Sequence, residues 1–191
     1  RIGDVLLTTP AVRALKRAFP NAEIDFLVEP PGHEVLTGSS DLSRVLIYDG
    51  KGPLNYLYWI AQVRLLRYDW VIDFMGNPRT AVLTFASAAA VKAGPAHVSH
   101  RWAYNAPLKE SDTPHYSALE KLRVLRSLGL SVDENDFLPS MAGDSVSEEF
   151  AHAALARMRI PRGKIVGLVP ASRRKTRRWP AEKFSGLVAH F

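Results

Sequence analysis

Short runs of β-branched and aliphatic residues alternate along the chain with longer stretches whose apolar positions recur every three or four residues. That alternation predicts a parallel sheet covered by helices. Glu23 to Val28 (EIDFLV), Arg44 to Tyr48 (RVLIY), Trp70 to Phe74 (WVIDF) and Lys164 to Val169 (KIVGLV) read as strands. Pro10 to Phe19 places Val12, Leu15 and Phe19 on one face and Arg13, Lys16 and Arg17 on the other. This is an amphipathic helix, with Thr9 as its cap and Pro10 in its first turn. Leu54 to Arg67 and Thr80 to Ala90 read as two further helices, the second almost wholly apolar and expected to be buried. His115 to Leu128 forms another that ends at Gly129, a residue suited to a left-handed C-cap.

After about residue 130 the pattern turns polar and acidic (SVDENDFLPSMAGDS). A first α/β domain is therefore expected over 1–145. A linker helix, with Ser147 as a possible cap, and a turn at Pro161 follow over 146–163, and a second domain opens at 164–191 with one strand and one helix. The chain begins with Arg1 and reaches Phe191 inside a helical pattern, so both ends are expected to be cut, with a first strand preceding Arg1.

Composition narrows the class. With 191 residues, 47% of them hydrophobic and 23% charged, this is an ordinary globular protein rather than a disordered, collagenous or coiled-coil one. The absence of cysteine excludes disulfides, thiolate chemistry and cysteine-ligated metal, and the six histidines include no HxxxH or HxH pair. The least polar stretch, Ala81 to Val91, is eleven residues, too short to span a bilayer. The net charge of +6 points to anionic partners, but Arg173, Arg174, Lys175, Arg177 and Arg178 supply five of those charges, leaving 6 − 5 = +1 for everything else.

Two segments could carry chemistry. Gly3-Asp4 precedes the first helix, and with a strand before it would lie in a loop at the carboxyl end of that strand, where open α/β sheets bind ligands. A carboxylate there can take a proton from a substrate hydroxyl and Gly3 would let a ligand approach the backbone, although Asp is also a favoured helix cap. The second segment runs from Gly167 to Phe184, a strand leading into a loop with Ser172, Thr176 and the five cations, then a helix opening at Pro180. Hydroxyls, loop N–H groups and a helix N-terminus make a phosphate or diphosphate cradle. A solvated basic loop or a nucleic-acid backbone contact is the competing reading. His100 and Arg101 could touch an anionic acceptor, and Asp69 and Asp73 read as strand-end residues. Tyr56, Tyr58 and Trp59 read as core or a hydrophobic groove. No GxGxxG, GxxxxGK[ST] or GxSxG occurs.

Several segments, in order, resemble the family 9 glycosyltransferases, the ADP-heptose:lipopolysaccharide heptosyltransferases and their relatives. The opening RIGDVLLTTPAVRALKRAFPNAEIDFLV is similar to that family's N-terminal signature. Tyr68 to Ala81 (YDWVIDFMGNPRTA) is similar to its "YDxVIDxxGNxRSA" element, His115 with Glu120 and Leu128-Gly129 to its helix before the linker, and Arg178 to Phe184 (RWPAEKF) to its "KRWPxExF". The resemblance implies an α/β fold of GT-B type, two Rossmann-like domains with the acceptor on the first and the nucleotide-sugar on the second. It implies Asp4 as general base, and Ser172 with Arg177 on the donor diphosphate, Lys175 and Thr176 being the neighbouring candidates. The family commonly has Lys two residues before the Trp, where this chain has Arg177.

The expectation is an inverting, metal-independent glycosyltransferase that moves a heptose-like sugar from an ADP-sugar to a hydroxyl of the lipopolysaccharide inner core. Gly3, His100 and Arg101 are the acceptor-side candidates. No cofactor is expected, since the ADP-sugar is a co-substrate. The protein is expected in the cytoplasm, in peripheral contact with the inner membrane because the acceptor is a lipid, and the 191-residue chain by itself is expected to be inactive. Another nucleotide-sugar donor is the alternative within the fold. A polyanion- or nucleic-acid-binding module is the alternative outside it, disfavoured because the basic run has no interleaved stacking aromatics.

Overall fold

A computed structural model describes residues 2–50, 52–109, 115–143, 145–159, 165–170, 172, 176 and 178–189. The chain divides into two compact units, Arg1–Asp144 and Ser145–Phe191.

The first unit opens with a five-residue helix, α1 (Ile2–Leu6), followed by α2 (Thr9–Ala18). The first strands are β1 (Asp25–Val28) and β2 (Arg44–Ile47), paired in parallel with Asp25 opposite Arg44. Helices α3 (Gly52–Leu65) and α4 (Pro78–Ala86) flank β3 (Trp70–Ile72). Then come β4 (Val91–Pro95), β5 (Ala106–Leu108) and α5 (Ser117–Arg123), which tightens into a 3-10 turn over Val124–Leu128. That turn ends at Gly129, whose φ of +79° is the expected left-handed cap. β3, β4 and β5 form a second parallel sheet in that order.

Three packed clusters hold the unit. Tyr48, Trp59, Val63 and Leu83 join α3 and α4 to the first sheet, Ala11 of α2 meets Leu122 and Leu125, and Ala93 and Leu108 meet Val124. Trp59 is thus core, while Tyr58 is exposed. α4 starts as its sequence demands: the Asn77 side chain accepts the Thr80 N–H, the Thr80 hydroxyl accepts the Asn77 N–H, and Pro78 fills the first turn. It stops at Ala86, and only one side is covered, since Phe85 is exposed.

Two local expectations change. Thr9 is the first residue of α2 rather than its cap, and neither it nor Thr8 caps through its side chain. Both hydroxyls instead donate backward, Thr8 to the Asp4 carbonyl at 2.7 Å and Thr9 to the Leu6 carbonyl at 2.9 Å, because the end of α1 needs donors. Gly3-Asp4 therefore lies in a helical turn and not an open loop. The acidic stretch after residue 130 folds back on its own unit: Arg13 and Arg17 converge on Asp136, Arg123 and Arg126 on Glu134, and Phe137 packs with the α2–α5 cluster.

In the second unit, α6 spans Ser145–Arg157 and α7 spans Ala181–Val188, with Pro180 at the N-cap position of α7. Of the expected strand from Lys164 to Val169, Lys164 lies outside the described residues and residues 165–170 form no ladder. A strand is held by its neighbour, and the described residues of this unit offer none.

Candidate functional site

α1 is too short to stand alone, since helix nucleation costs more than one turn returns. Its last four carbonyls are nevertheless all satisfied. Gly3 O accepts the Leu7 N–H and Val5 O the Thr8 N–H, both at 2.9 Å, while Leu6 O accepts the Thr9 hydroxyl. Asp4 O accepts twice, from the Thr8 hydroxyl and from the Lys121 ammonium of α5 at 2.6 Å. Lys121 Nζ also donates to Thr8 Oγ1 at 2.8 Å, which closes a three-membered network on the turn carrying Asp4. Burial pushes the Lys121 ammonium below its ordinary 10.5, and the charge of Asp4 opposes that shift.

This turn forms one wall of a cleft of about 310 Å³, lined by Asp4, Asp73, Glu120, Lys121 and Ser117 with an apolar wall that includes Phe74, Met75 and Leu108. Asp73, directly after β3, is 6% exposed and its oxygens are spoken for. Oδ1 accepts the N–H groups of Met75 and Gly76 at 2.8 and 2.9 Å, and Oδ2 accepts the Tyr104 hydroxyl at 2.8 Å. Burial, then the Asp73 charge and hydrogen bond, push the Tyr104 phenol far up, so it stays a donor. Two glycines make this possible. Gly76 sits at φ +60° with Pro95 where a Cβ would be, and a Cβ on Gly94 would fall 2.3 Å from the Tyr104 ring. Asp73 is thus a turn-holding carboxylate, and Asp4 and Glu120 are the other two carboxylates lining the cleft.

The expected site residues separate into three places. Asp4 lies in the cleft, half-buried; Gly3 beside it is exposed, with open space where a side chain would stand. His100 contacts the Gly76 carbonyl through Nε2 at 2.5 Å, and Arg101 lines a neighbouring groove with Ser99, Trp102 and Tyr104. Pro95 lines both hollows. Ser172 and Thr176 belong to the second unit, where Arg178 Nε donates to the Ser172 carbonyl at 2.6 Å and Trp179 meets Phe184 edge-on. Lys175 and Arg177 lie outside the described residues, as do Arg173 and Arg174.

Lys121 and Tyr104 were not legible as site residues. Lys121 reads as one of several cations on an amphipathic helix, and its partner Asp4 lies 117 residues away. Asp73 carried a signal, a carboxylate after a strand and before Gly-Asn-Pro, but that pattern alone does not tell a turn-holder from a reacting group. Among the described residues no group of three or more His, Cys, Asp or Glu side chains could hold a metal ion, and no helix is long and apolar enough to cross a membrane.

Comparison with known proteins supplies an independent line. The sequence profile of glycosyltransferase family 9 (heptosyltransferase) matches residues 59–191. Lipopolysaccharide heptosyltransferase 3 of Escherichia coli K12 is 30% identical over 96 residues, covering 47% of this chain and 28% of that protein. Among solved structures, the glycosyl transferase family 9 protein from Veillonella parvula superposes with a TM-score of 0.81 at 22% identity, covering all of this chain and 56% of that one. E. coli heptosyltransferase WaaC with ADP gives 0.61 at 23% identity, and E. coli ADP-heptose lipopolysaccharide heptosyltransferase II gives 0.70 at 14%. These two cover 100% and 99% of this chain and 60% and 59% of theirs, so the chain spans less than two thirds of the proteins it matches. The fold is α/β with parallel sheets, a part of the GT-B type.

Proposed function

The chain belongs to glycosyltransferase family 9, and from that premise we propose that it carries the acceptor-side catalytic half of an inverting heptosyltransferase. The substrates in this reading are an ADP-heptose donor and a hydroxyl of the lipopolysaccharide inner core. The carboxylate of Asp4 takes the proton of the acceptor hydroxyl as its oxygen attacks the anomeric carbon. The bond from that carbon to the diphosphate breaks, and its electron pair leaves with ADP. The charge of the leaving diphosphate is taken up, in this reading, by Ser172, Thr176 and the N-terminus of α7, with Arg177 and Lys175 as the cation candidates. Arg101 serves the anionic acceptor from the groove next to the cleft, with His100 adjacent to it in sequence. The reaction sits on the cytoplasmic face of the inner membrane, where the lipid acceptor brings the protein into peripheral contact.

The observation that carries this reading is Asp4 itself. Asp4, from the pair that resembles the family's Gly-Asp, lines a cleft, with its carbonyl held by Thr8 and Lys121. Asp4→Asn in the full-length gene product is expected to lower turnover of ADP-heptose by about a hundred- to ten-thousandfold while leaving donor binding unchanged. A rate near that of the wild type would remove Asp4 from the reaction.

A further inference from the structure

We propose that Lys121 is a positioning residue for Asp4, its ammonium tying the helical turn that carries the carboxylate to α5 so that the base is held ready on the cleft wall. The proposal rests on Asp4 being the base. The chain 2–8 has little of its own to fix it: α1 is five residues long and has no buried side chain. Val5 rests against Gly32, and among the described residues the hydrogen bonds that reach this segment from a distant element both come from Lys121. The Lys121 ammonium reaches both the Asp4 carbonyl, at 2.6 Å, and the Thr8 hydroxyl, at 2.8 Å, and that hydroxyl donates to the same carbonyl at 2.7 Å. Removing the ammonium leaves the Asp4 carbonyl with one donor and Thr8, itself only 2% exposed, without its long-range contact.

Three groups face this network: Asp4 from α1, Glu120 from α5 and Asp73 from the end of β3. Asp73 is committed to Met75, Gly76 and Tyr104. The ammonium is therefore the cation among three carboxylates lining the cleft. Its hydrogen bond goes to the Asp4 main chain, and its charge is attracted to that of the Asp4 side chain.

The test uses the full-length gene product with ADP-heptose and acceptor, comparing Asp4→Asn, Lys121→Met, Lys121→Arg and Thr8→Val. Lys121→Met keeps the length and loses the donors and the charge. It is expected to lower kcat about a hundredfold, the scale of an ångström-sized misplacement, with the KM for donor unchanged, because the donor loop belongs to the other unit. Lys121→Arg is expected to recover most of that loss, and Thr8→Val to lower kcat by less than Lys121→Met does. Wild-type kcat in Lys121→Met, or an arginine variant as slow as the methionine one, overturns the proposal. If circular dichroism shows Lys121→Met unfolded, Thr8→Val and Lys121→Arg decide, and unchanged kcat in Thr8→Val overturns it. Asp4→Asn separates the two claims: slow Asp4→Asn with fast Lys121→Met sinks the positioning role alone, whereas fast Asp4→Asn sinks the base on which it rests.

Discussion

At the residue scale the cleft depends on side chains that react with nothing. Gly94 has no side chain where Tyr104 crosses it, and that gap lets the phenol reach Asp73 and fix the turn through Gly76. Gly94→Ala is expected to destabilise the protein by about 1–3 kcal/mol through overpacking, read as a lower midpoint in urea with an unchanged slope. A neutral outcome would mean that the ring shifts freely, and Asp73 would then not be held as described. Asp4, the base in the proposed reading, could be singled out from the sequence because its signal is local: a Gly-Asp pair ahead of an amphipathic helix. Lys121 and Tyr104 were not, since their roles exist only after α5 and the β4–β5 connection have been brought against residues from other parts of the chain.

Elements were legible where side-chain chemistry and strand pairing agree. β1, β2 and β3 stand inside β-branched or aromatic runs, whereas β4 (VKAGP) and β5 (APL) contain lysine, glycine and proline and escaped notice. They form because β3 offers a parallel partner, and residues 165–170 of the second unit, better strand formers by composition, form none for want of one. The first sheet carries a charge device at its start. Burial pushes the Asp25 carboxyl up, but hydrogen bonds from Arg44 and Tyr68 together with the Arg44 charge outweigh it, so the group sits below its ordinary 3.8. A carboxylate lowered on folding contributes stability that is complete above its unfolded value and is lost as pH falls through its native one. Melting temperatures of the wild type are therefore expected to fall more steeply below pH 4 than those of Asp25→Asn. Parallel curves for the two would show that the Asp25 cluster adds nothing.

For the whole molecule, charge reads differently from its sum. The +6 is concentrated at 173–178, while in the first unit Arg13, Arg17, Arg123 and Arg126 are spent on Asp136 and Glu134, pulling the acidic stretch after residue 130 back over α2 and α5. That stretch was expected inside the first domain, over 1–145, but which arginines hold it there could not be read from composition. Near the start of β1 and β3 the two parallel sheets of that unit meet through side chains: the Tyr68 hydroxyl donates to Asp25 at 2.6 Å, and Phe19, at the end of α2, lies edge-on to Trp70 at 5.4 Å. The joint between the sheets thus leans on one phenol, and Tyr68→Phe, which keeps the ring and removes the hydroxyl, is expected to cost about 1.5–3 kcal/mol, the range for a hydrogen bond to a charged group. An unchanged midpoint in urea would show that the sheets hold together without it.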